Sequence, residues 1–344
     1  MITRRRIETG GALAPLSGSA RWFTGAVFIA GGAFLVVLLS RPGIREVWER
    51  LGAVSASGLA IVLTMYFAAF VAETASWQQA LSMIPARPRA LYRLCKVLMV
   101  GSAVERITPF GGEPVKALLL NRYEGIPYAA ASASLVITRM TDVMALILFG
   151  AVGLLLMWKT EVLPPAYRAT VLVGFGLFVI AGGLFFLVQN GRLFTRLRDR
   201  LGGRGKAASP GRLARLLDGI HDVENQLVAF YSREPRRFFL SMVFTLVQWS
   251  ADAIAIWLSV RILGSSITLR DAFVVQAFVL MVIGMLFFVP GDLGTQDAAL
   301  AFACGTLTGS LPVGVAVAAL RRARDLLWLV WGFSIGAYYA WQRP

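Results

Sequence analysis

Long apolar runs separated by short charged segments dominate this 344-residue chain. Several of them approach or exceed the ~18–20 apolar residues that cross the hydrocarbon core of a bilayer. They do not alternate apolar and polar positions, as the strands of a membrane β-barrel would. The pattern therefore predicts an all-α polytopic membrane protein with about six full spans. The predicted spans cover residues 22–40, 57–81, 130–158, 169–188, 238–263 and 313–341.

Two further apolar regions are interrupted by proline and glycine. They lie near residues 97–120 and 272–309, and the two apolar halves of the first region are too short to cross a bilayer. Irregular backbone at membrane depth is tolerated only where protein or water satisfies its polar groups. Each region is therefore predicted to form a re-entrant hairpin of two broken helices. The breaks contain Pro109, Gly111 and Gly112 in the first region, and Pro290, Gly291 and Gly294 in the second.

The formal net charge of +15 would suggest a nucleic-acid partner in a soluble protein. In a chain with 57% hydrophobic residues, the excess of Lys and Arg is better explained by the positive-inside bias of cytoplasmic loops. We therefore expect membrane lipids, and no nucleic acid, as partners. Basic segments at residues 1–21, 87–96 and 192–237 predict cytoplasmic N- and C-termini in a bacterial inner membrane, with hairpins entering from opposite faces.

Changes in composition divide the chain into four predicted regions. Within the basic loop, Leu213, Leu216, Leu217 and Ile220 recur with helical periodicity, which predicts an amphipathic helix on the membrane surface or a solvated helix packed on the protein. The regions are a cytoplasmic tail at 1–21, a first membrane half at 22–189, a basic cytoplasmic loop at 190–237 and a second membrane half at 238–344.

The two membrane halves share an order of features. Each begins with an apolar helix that contains an acid, continues through a proline-glycine break and ends in a helix with an Arg-x-x-Asp pattern. Opposite predicted orientations make this an inverted repeat, an architecture in which broken helices of transporters meet near the bilayer midplane. The acids are Glu73 and Asp252, and the patterns are Arg139–Asp142 and Arg322–Asp325.

The second helix of each hairpin begins at the break, where free N–H groups and the helix dipole favour an anion. Arg139 and Arg322 are able to hold a phosphate through two hydrogen bonds, which makes an anionic lipid headgroup the expected substrate. The predicted substrate-binding residues are Arg139, Arg322, Pro109, Gly111, Gly112, Glu113, Lys116, Pro290, Gly291, Gly294, Gln296 and Asp297.

Acids inside apolar helices are candidates for coupling or gating, because burial disfavours their charged form. In the alternative interpretation, each Arg-x-x-Asp pair shares one helix face and only braces the two halves. Two neighbouring arginines, Arg321 and Arg324, are expected to extend to water. The predicted coupling residues are Glu73, Glu105, Asp142, Asp252 and Asp325.

The sequence contains none of the spacings that mark a metal, nucleotide or nucleophilic site. Cys95 and Cys304 lie far apart in apolar segments, and neither belongs to a CxxC pair. We therefore expect no catalytic residues, no metal and no cofactor, and we predict that the protein is not an enzyme.

The motifs "ITPFGGEPVKALLLNRYEG", "ASASLVITRMTDVMALILFG" and "VPGDLGTQDAALAFACGTLTG", followed by "RRARDLL", resemble the lysylphosphatidylglycerol synthase transmembrane region, also called the flippase-like domain family. The resemblance covers nearly the whole chain after Trp22, and the tail also resembles a branch associated with hopanoid biosynthesis. It implies lipid translocation, and because the chain ends at Pro344 without an aminoacyl-transferase domain, it implies transport without synthesis. The family pattern falls on Pro109, Gly112, Glu113, Pro290, Gly294 and Asp297, with Asp297 at a position that is more often Glu in relatives.

Two other classes of function stay open. A membrane enzyme that modifies a lipid headgroup could use Glu105 and Glu113 as acid and base. A scaffold could instead dock a lipid-biosynthesis enzyme through the basic loop at 190–237. The oligomeric state is not set by the sequence, since both halves of the predicted site lie in one chain.

Overall fold

In the computed structural model, all regular secondary structure of the described residues is helical, as the apolar pattern predicts. The chain divides into two compact units, Met1–Arg45 and Glu46–Pro344, and the helices from residue 46 onward belong to the second unit. The predicted span at 22–40, Pro109, Pro290, Gly291 and the loop helix around Leu213 lie outside the described residues. The structure describes residues 44–81, 84, 87–108, 111–158, 172–180, 182–184, 230–285 and 294–341.

Three of the described helices, Ala56–Ala80, Tyr128–Trp158 and Pro235–Ile262, are long and apolar enough to cross a membrane, judged by length and composition. A shorter apolar helical stretch at 172–180 falls within the predicted span at 169–188. The helices are α1 Ile44–Gly52, α2 Ala56–Ala80, α3 Pro88–Ile107, α4 Gly112–Glu124, α5 Tyr128–Trp158, α6 Pro235–Ile262, α7 Leu269–Met285, α8 Thr295–Thr308 and α9 Leu311–Trp341.

Local sequence signals set the helix starts. The Ser55 side chain accepts a hydrogen bond from the Gly58 N–H at 3.1 Å and caps α2. Proline opens α3 and α6, where its missing N–H would have no partner in the helix. At α7, Thr268 and Asp271 exchange side-chain and backbone hydrogen bonds in a capping box.

The basic segment at 87–96, predicted as a loop, is the beginning of α3. Its arginines Arg89 and Arg93 are exposed, whereas Ala90 and Leu94 are buried on the opposite face, which is the pattern of an amphipathic helix. With these residues α3 has 20 residues and a length of about 30 Å. Helix α3 is therefore longer than the apolar half predicted from residue 97, although it is not among the described helices that are both long and apolar enough to cross a membrane.

The most extensive helix contact joins α2 and α6, which run antiparallel. Near the end of α2, the Ser76 hydroxyl lies 2.9 Å from the hydroxyls of both Ser241 and Thr245, close to the start of α6. At the opposite ends, a Cβ added to Gly58 would lie 3.0 Å from the Ile262 side chain. Hydroxyls and small residues of this kind hold membrane helices together, because lipid provides no hydrophobic drive for helix association.

The remaining long contacts exchange helices between the two halves of the chain. Helix α3 packs antiparallel on α9, where a Cβ added to Gly332 would lie 2.5 Å from the Met99 carbonyl oxygen. Helix α7 packs antiparallel on α5: Gly153 of α5 lies against Ala277 at the middle of α7, and Leu146, one turn or more earlier in α5, lies against Gly284 near the end of α7. In the hairpin α3–α4, α3 contacts α9 and α4 contacts α5. In the hairpin α7–α8, α7 contacts α5 and α8 contacts α9.

The α2–α6 packing predicts that Ser76→Cys and Ser241→Cys, combined in a chain whose Cys95 and Cys304 are replaced by Ala, form a disulfide on mild oxidation. The two hydroxyls are 2.9 Å apart, so the sulfurs that replace them come within bonding reach after small rotations. Crosslinking is read as a mobility shift on a non-reducing gel.

The matched control joins Ser76→Cys to Ser259→Cys, which is also buried on α6 but lies about 27 Å further along that helix. Equal crosslinking of the two pairs would contradict the packing described here.

Candidate functional site

Charged side chains from both halves of the chain gather in two clusters among otherwise apolar helices. The first cluster contains four acids and two cations, and the second contains three acids and four arginines. The first cluster is Glu73, Glu105, Glu113, Lys116, Arg139 and Asp142, and the second is Arg106, Asp252, Asp297, Arg321, Arg322, Arg324 and Asp325.

Arg139 on α5 is held by the acids of the first hairpin. Its Nη2 atom donates to Glu113 Oε1 at 2.7 Å and to Glu105 Oε1 at 3.1 Å. By contrast, Nη1 and Asp142 Oδ2 are 4.0 Å apart, so the Arg-x-x-Asp pair predicted within α5 is at the limit of an ion pair. The principal partners of this arginine therefore come from α3 and α4.

Lys116 provides the second cation of the first cluster, and its side chain is buried. Its Nζ atom lies 3.4 Å from Glu105 Oε2 and 3.3 Å from Glu113 Oε1. The aliphatic stem crosses the backbone of α3 at Gly101, where an added Cβ would lie 2.3 Å from Lys116 Cγ. Gly101 thus leaves the space that allows this lysine to reach both acids.

Helices α4 and α8 begin without a side-chain cap. Gly111 precedes α4 and Gly294, with φ of 93°, precedes α8, and neither offers a side-chain acceptor to the first N–H groups. Gly112 also permits close contact with α3, because an added Cβ would lie 2.8 Å from the Gly101 carbonyl oxygen. Glu113 and Asp297 lie in the first turns of the two helices, where a negative charge is favoured.

In the second cluster, Arg322 on α9 pairs with Asp297 on α8. Arg324 donates to Asp325 Oδ1 at 2.6 Å, lies 3.7 Å from Asp252 Oδ1 and covers the Tyr66 ring at 4.4 Å from its centroid. These contacts connect α9 with α8, α6 and α2.

The two clusters repeat one arrangement. Helices α5 and α9 are both 31 residues long, and Arg139 and Arg322 both lie eleven residues after the first residue of their helix. Each arginine pairs with an acid in the first turn of the second hairpin helix, Glu113 or Asp297. Each also lies 3.8–4.0 Å from the acid three residues later in its own helix.

Two adjacent residues of α3 join the clusters. Glu105 contacts Arg139 and Lys116 in the first cluster, and Arg106 Nη1 lies 2.8 Å from Asp325 Oδ2 in the second. The ionic contacts therefore continue from the first half of the chain to the last helix.

The prediction that Arg321 and Arg324 extend to water is wrong. Arg321 is only 7% exposed, and Arg324 is paired with two acids. Both lie on the face of α9 that also carries Asp325, and this face is turned toward Tyr66 of α2 and Asp252 of α6. The helix packing thus decides their environment, and the length of their side chains does not bring them to the surface.

The other predicted residues are placed as follows. Glu73 lies within electrostatic range of Lys116, Asp142 and Arg139, and Asp252 within range of Arg324 and Arg321. Gln296 is half-buried in the first turn of α8.

Sequence reasoning did not identify a line of hydroxyls that ends at the first cluster. Thr245 Oγ1 donates to Asp142 Oδ1 at 3.4 Å and also lies 2.9 Å from the Ser76 hydroxyl. The signal was present as Ser241 and Thr245, spaced four residues apart in an apolar helix and hence on one face.

An all-helical chain with three helices long and apolar enough to cross a membrane, and with two clusters of charged side chains between its helices, is typical of a polytopic helical membrane protein. The chain matches the family described as the lysylphosphatidylglycerol synthase TM region over residues 22–332, and it belongs to that family. It is also 23% identical over 290 residues to a UPF0104 membrane protein of Methanothermobacter thermautotrophicus, covering 79% of this chain and 80% of the relative. No solved structure gives a significant match. The family resemblance is confirmed, and the hopanoid-associated branch stays a prediction.

The packing of Lys116 predicts that Gly101→Ala lowers the free energy of unfolding by about 1–3 kcal/mol, because the new methyl group overlaps the lysine stem. Thermal unfolding of the purified protein in detergent measures the loss.

Gly176→Ala is the matched control, since no atom of the residues that the structure describes lies within 4 Å of the position of its Cβ in the helical stretch at 172–180. It should leave stability unchanged or raise it by about 0.5–1 kcal/mol, the helix preference of Ala over Gly. An unchanged melting temperature for Gly101→Ala would contradict the close packing of Lys116.

Proposed function

We propose that this protein moves a lipid with an anionic headgroup between the leaflets of a bacterial inner membrane. The observation that carries the proposal is the pair of charged clusters, in which Arg139 and Arg322 lie well inside the 31-residue helices α5 and α9 and meet acids at the starts of α4 and α8. Ionisable groups in such a setting are costly, and they generally mark a path for a polar substrate. Membership of the family supports a role that involves membrane lipids.

An inverted repeat is part of the proposal. Its support is the exchange of helices: α3 of the first half packs on α9, and α7 of the second half packs on α5. The antiparallel contact of α2 with α6 places the opening helices of the two halves in opposite directions. A pseudo-two-fold axis between α2 and α6 accounts for all three contacts and for the matching positions of Arg139 and Arg322.

The headgroup enters by exchange of ionic partners. Arg139 and Arg322 each hold a carboxylate of a hairpin helix, and a phosphate that competes for the guanidinium would replace this carboxylate with another oxyanion. The uncapped N–H groups of α4 and α8 offer further donors to the same group. The acyl chains remain in lipid while the charge crosses between the clusters.

When the headgroup takes over an arginine, the acids near that arginine lose a partner, and these acids are the candidates for coupling translocation to proton uptake or gating. Glu105, Asp142 and Asp325 each contact an arginine that the substrate engages or a neighbour of it. Uptake of a proton or a change of partner at these acids would restore the charge balance after the headgroup leaves. Glu73 and Asp252 lie beside the clusters on the central helix pair and belong to the same set of coupling candidates.

Translocation is tested in proteoliposomes with fluorescent phosphatidylglycerol, whose exposure in the outer leaflet is read by dithionite quenching. Arg322→Gln should slow translocation about tenfold or more, because a hydrogen bond to a charged group contributes about 1.5–3 kcal/mol. Arg270→Gln is the control, as this arginine is exposed at the start of α7 and lies outside both clusters.

A second variant separates substrate binding from bracing. Arg322→Gln with Asp297→Asn removes both members of the pair and leaves no unpaired charge. If translocation returns in this double variant, Arg322 only braces the helices. If it stays slow while the protein remains folded, the arginine acts on the substrate. Headgroup modification without movement between leaflets would favour a membrane enzyme instead.

Copurifying lipids provide an independent prediction. Native mass spectrometry should show an anionic lipid class enriched on the wild-type protein and lost from the Arg139→Gln/Arg322→Gln double variant, because both oxyanion-binding side chains are gone. Bound lipids that mirror the bulk membrane in both proteins would contradict the proposed site.

A further inference from the structure

Arg321 has no counter-charge of its own in the part of the chain that the structure describes. The residue is 7% exposed, and its Nε and Nη1 atoms are buried without a hydrogen-bond partner among the described residues. A guanidinium in this setting is strongly destabilising unless an anion or a polar group compensates it. The chain has nevertheless placed it on the inner face of α9.

The neighbours of Arg321 also have unused hydrogen-bonding capacity. Within the described ranges, the buried hydroxyl of Tyr66 on α2 has no hydrogen-bond partner. Asp252 Oδ1 on α6 has none either, because its ionic contact with Arg324, at 3.7 Å, is too long for a hydrogen bond. Arg321 is close enough to act electrostatically on Tyr66, Asp252 and Cys304. All four of these residues are buried, and they belong to four helices, α2, α6, α8 and α9.

The balance of charges in the second cluster points to the missing component. Arg106 and Arg324 share Asp325, Arg324 also reaches Asp252, and Arg322 holds Asp297. Four arginines thus face three carboxylates, and the arginine left over is Arg321. The first cluster has the opposite balance, with four acids against Lys116 and Arg139.

We propose that Arg321, together with the Tyr66 hydroxyl, forms a buried binding site for an oxyanion such as a phosphate ester. The fork of the guanidinium suits a phosphate, which accepts two parallel hydrogen bonds, and the phenol supplies a further donor. This site is separate from the Arg139 and Arg322 pairs, whose arginines already hold carboxylates. The inference rests on the proposed function only for the source of the oxyanion, a lipid headgroup rather than free phosphate.

An unusual stability pattern follows from an unpaired buried charge. In lipid-free detergent, Arg321→Gln should melt at the same temperature as the wild type or higher, because it removes a charge that has no partner there. Addition of dihexanoyl phosphatidylglycerol should raise the melting temperature of the wild type and shift that of Arg321→Gln far less. Arg321→Lys, which keeps the charge but not the fork, should give an intermediate shift.

Two further variants provide matched comparisons. Arg324→Gln removes an arginine that is paired within the protein, so it should lower the melting temperature with and without added lipid. Tyr66→Phe keeps the buried ring and removes only the hydroxyl, so it should weaken the lipid-induced shift without a loss of lipid-free stability.

Inorganic phosphate is titrated in parallel to identify the source of the oxyanion. A shift with phosphatidylglycerol alone supports a lipid headgroup, and a shift with both ligands that depends on Arg321 supports a site open to free phosphate as well. A lipid-free Arg321→Gln protein that is much less stable than the wild type would overturn the proposal, because Arg321 would then be paired within the fold. Equal lipid-induced shifts in the two proteins would also overturn it.

Failure of this site and failure of lipid translocation are distinguishable. Translocation that continues in Arg321→Gln, with an unchanged lipid-induced shift, counts against the oxyanion site alone. A lipid-induced shift that requires Arg321 in a wild-type protein that moves no lipid between leaflets counts against translocation and leaves the site in place.

Discussion

A charge inside a membrane helix is stable only when an opposite charge or a polar group lies against it, and this requirement governs how these helices are arranged. Two of the principal ion pairs join different helices: Arg139 of α5 with Glu113 of α4, and Arg322 of α9 with Asp297 of α8. Separation of such helices would expose several charges to hydrocarbon at once. The ionic contacts therefore hold the hairpins against the long helices more firmly than apolar contacts could in a lipid solvent.

Small residues make these ionic contacts geometrically feasible. Without Gly101, the Lys116 stem could not cross α3, and without Gly112 the helices of the first hairpin could not approach so closely. Hydroxyls serve the same purpose between α2 and α6, where Ser76, Ser241 and Thr245 bind one another and Thr245 continues to Asp142. The central helix pair is thus joined to the first cluster by hydrogen bonds, so the polar interior is continuous.

Much of the architecture was predictable from the sequence, because a bilayer imposes a minimum length on apolar helices. The apolar runs locate α2, α5, α6 and α9 to within a few residues of the bounds in the structure. The start of α3 was missed because its apolar stripe, with Ala90 and Leu94, is hidden among exposed arginines in a segment that looks like a basic loop.

The candidate site was predictable in its residues but less so in its pairs. Spacing in one helix suggests Arg139 with Asp142, yet the arginine prefers Glu105 and Glu113, which only the tertiary fold brings near. The burial of Arg321 could not be foreseen either, since a long side chain near the middle of a helix can face water, lipid or protein. Only the packing of α9 against its neighbours decides between these environments.

The position of Glu105 and Arg106 on α3 has a thermodynamic consequence. Side chains of adjacent helical residues diverge by about 100°, so one rigid helix presents an acid to one cluster and a base to the other. An event that shifts α3 at either cluster must change the free energy of both. By linkage, if a ligand bound at the first cluster changes the affinity of the second cluster for another ligand, that second ligand changes the affinity of the first cluster by the same factor. Two sites that are distinct in their chemistry then behave as one reciprocal unit.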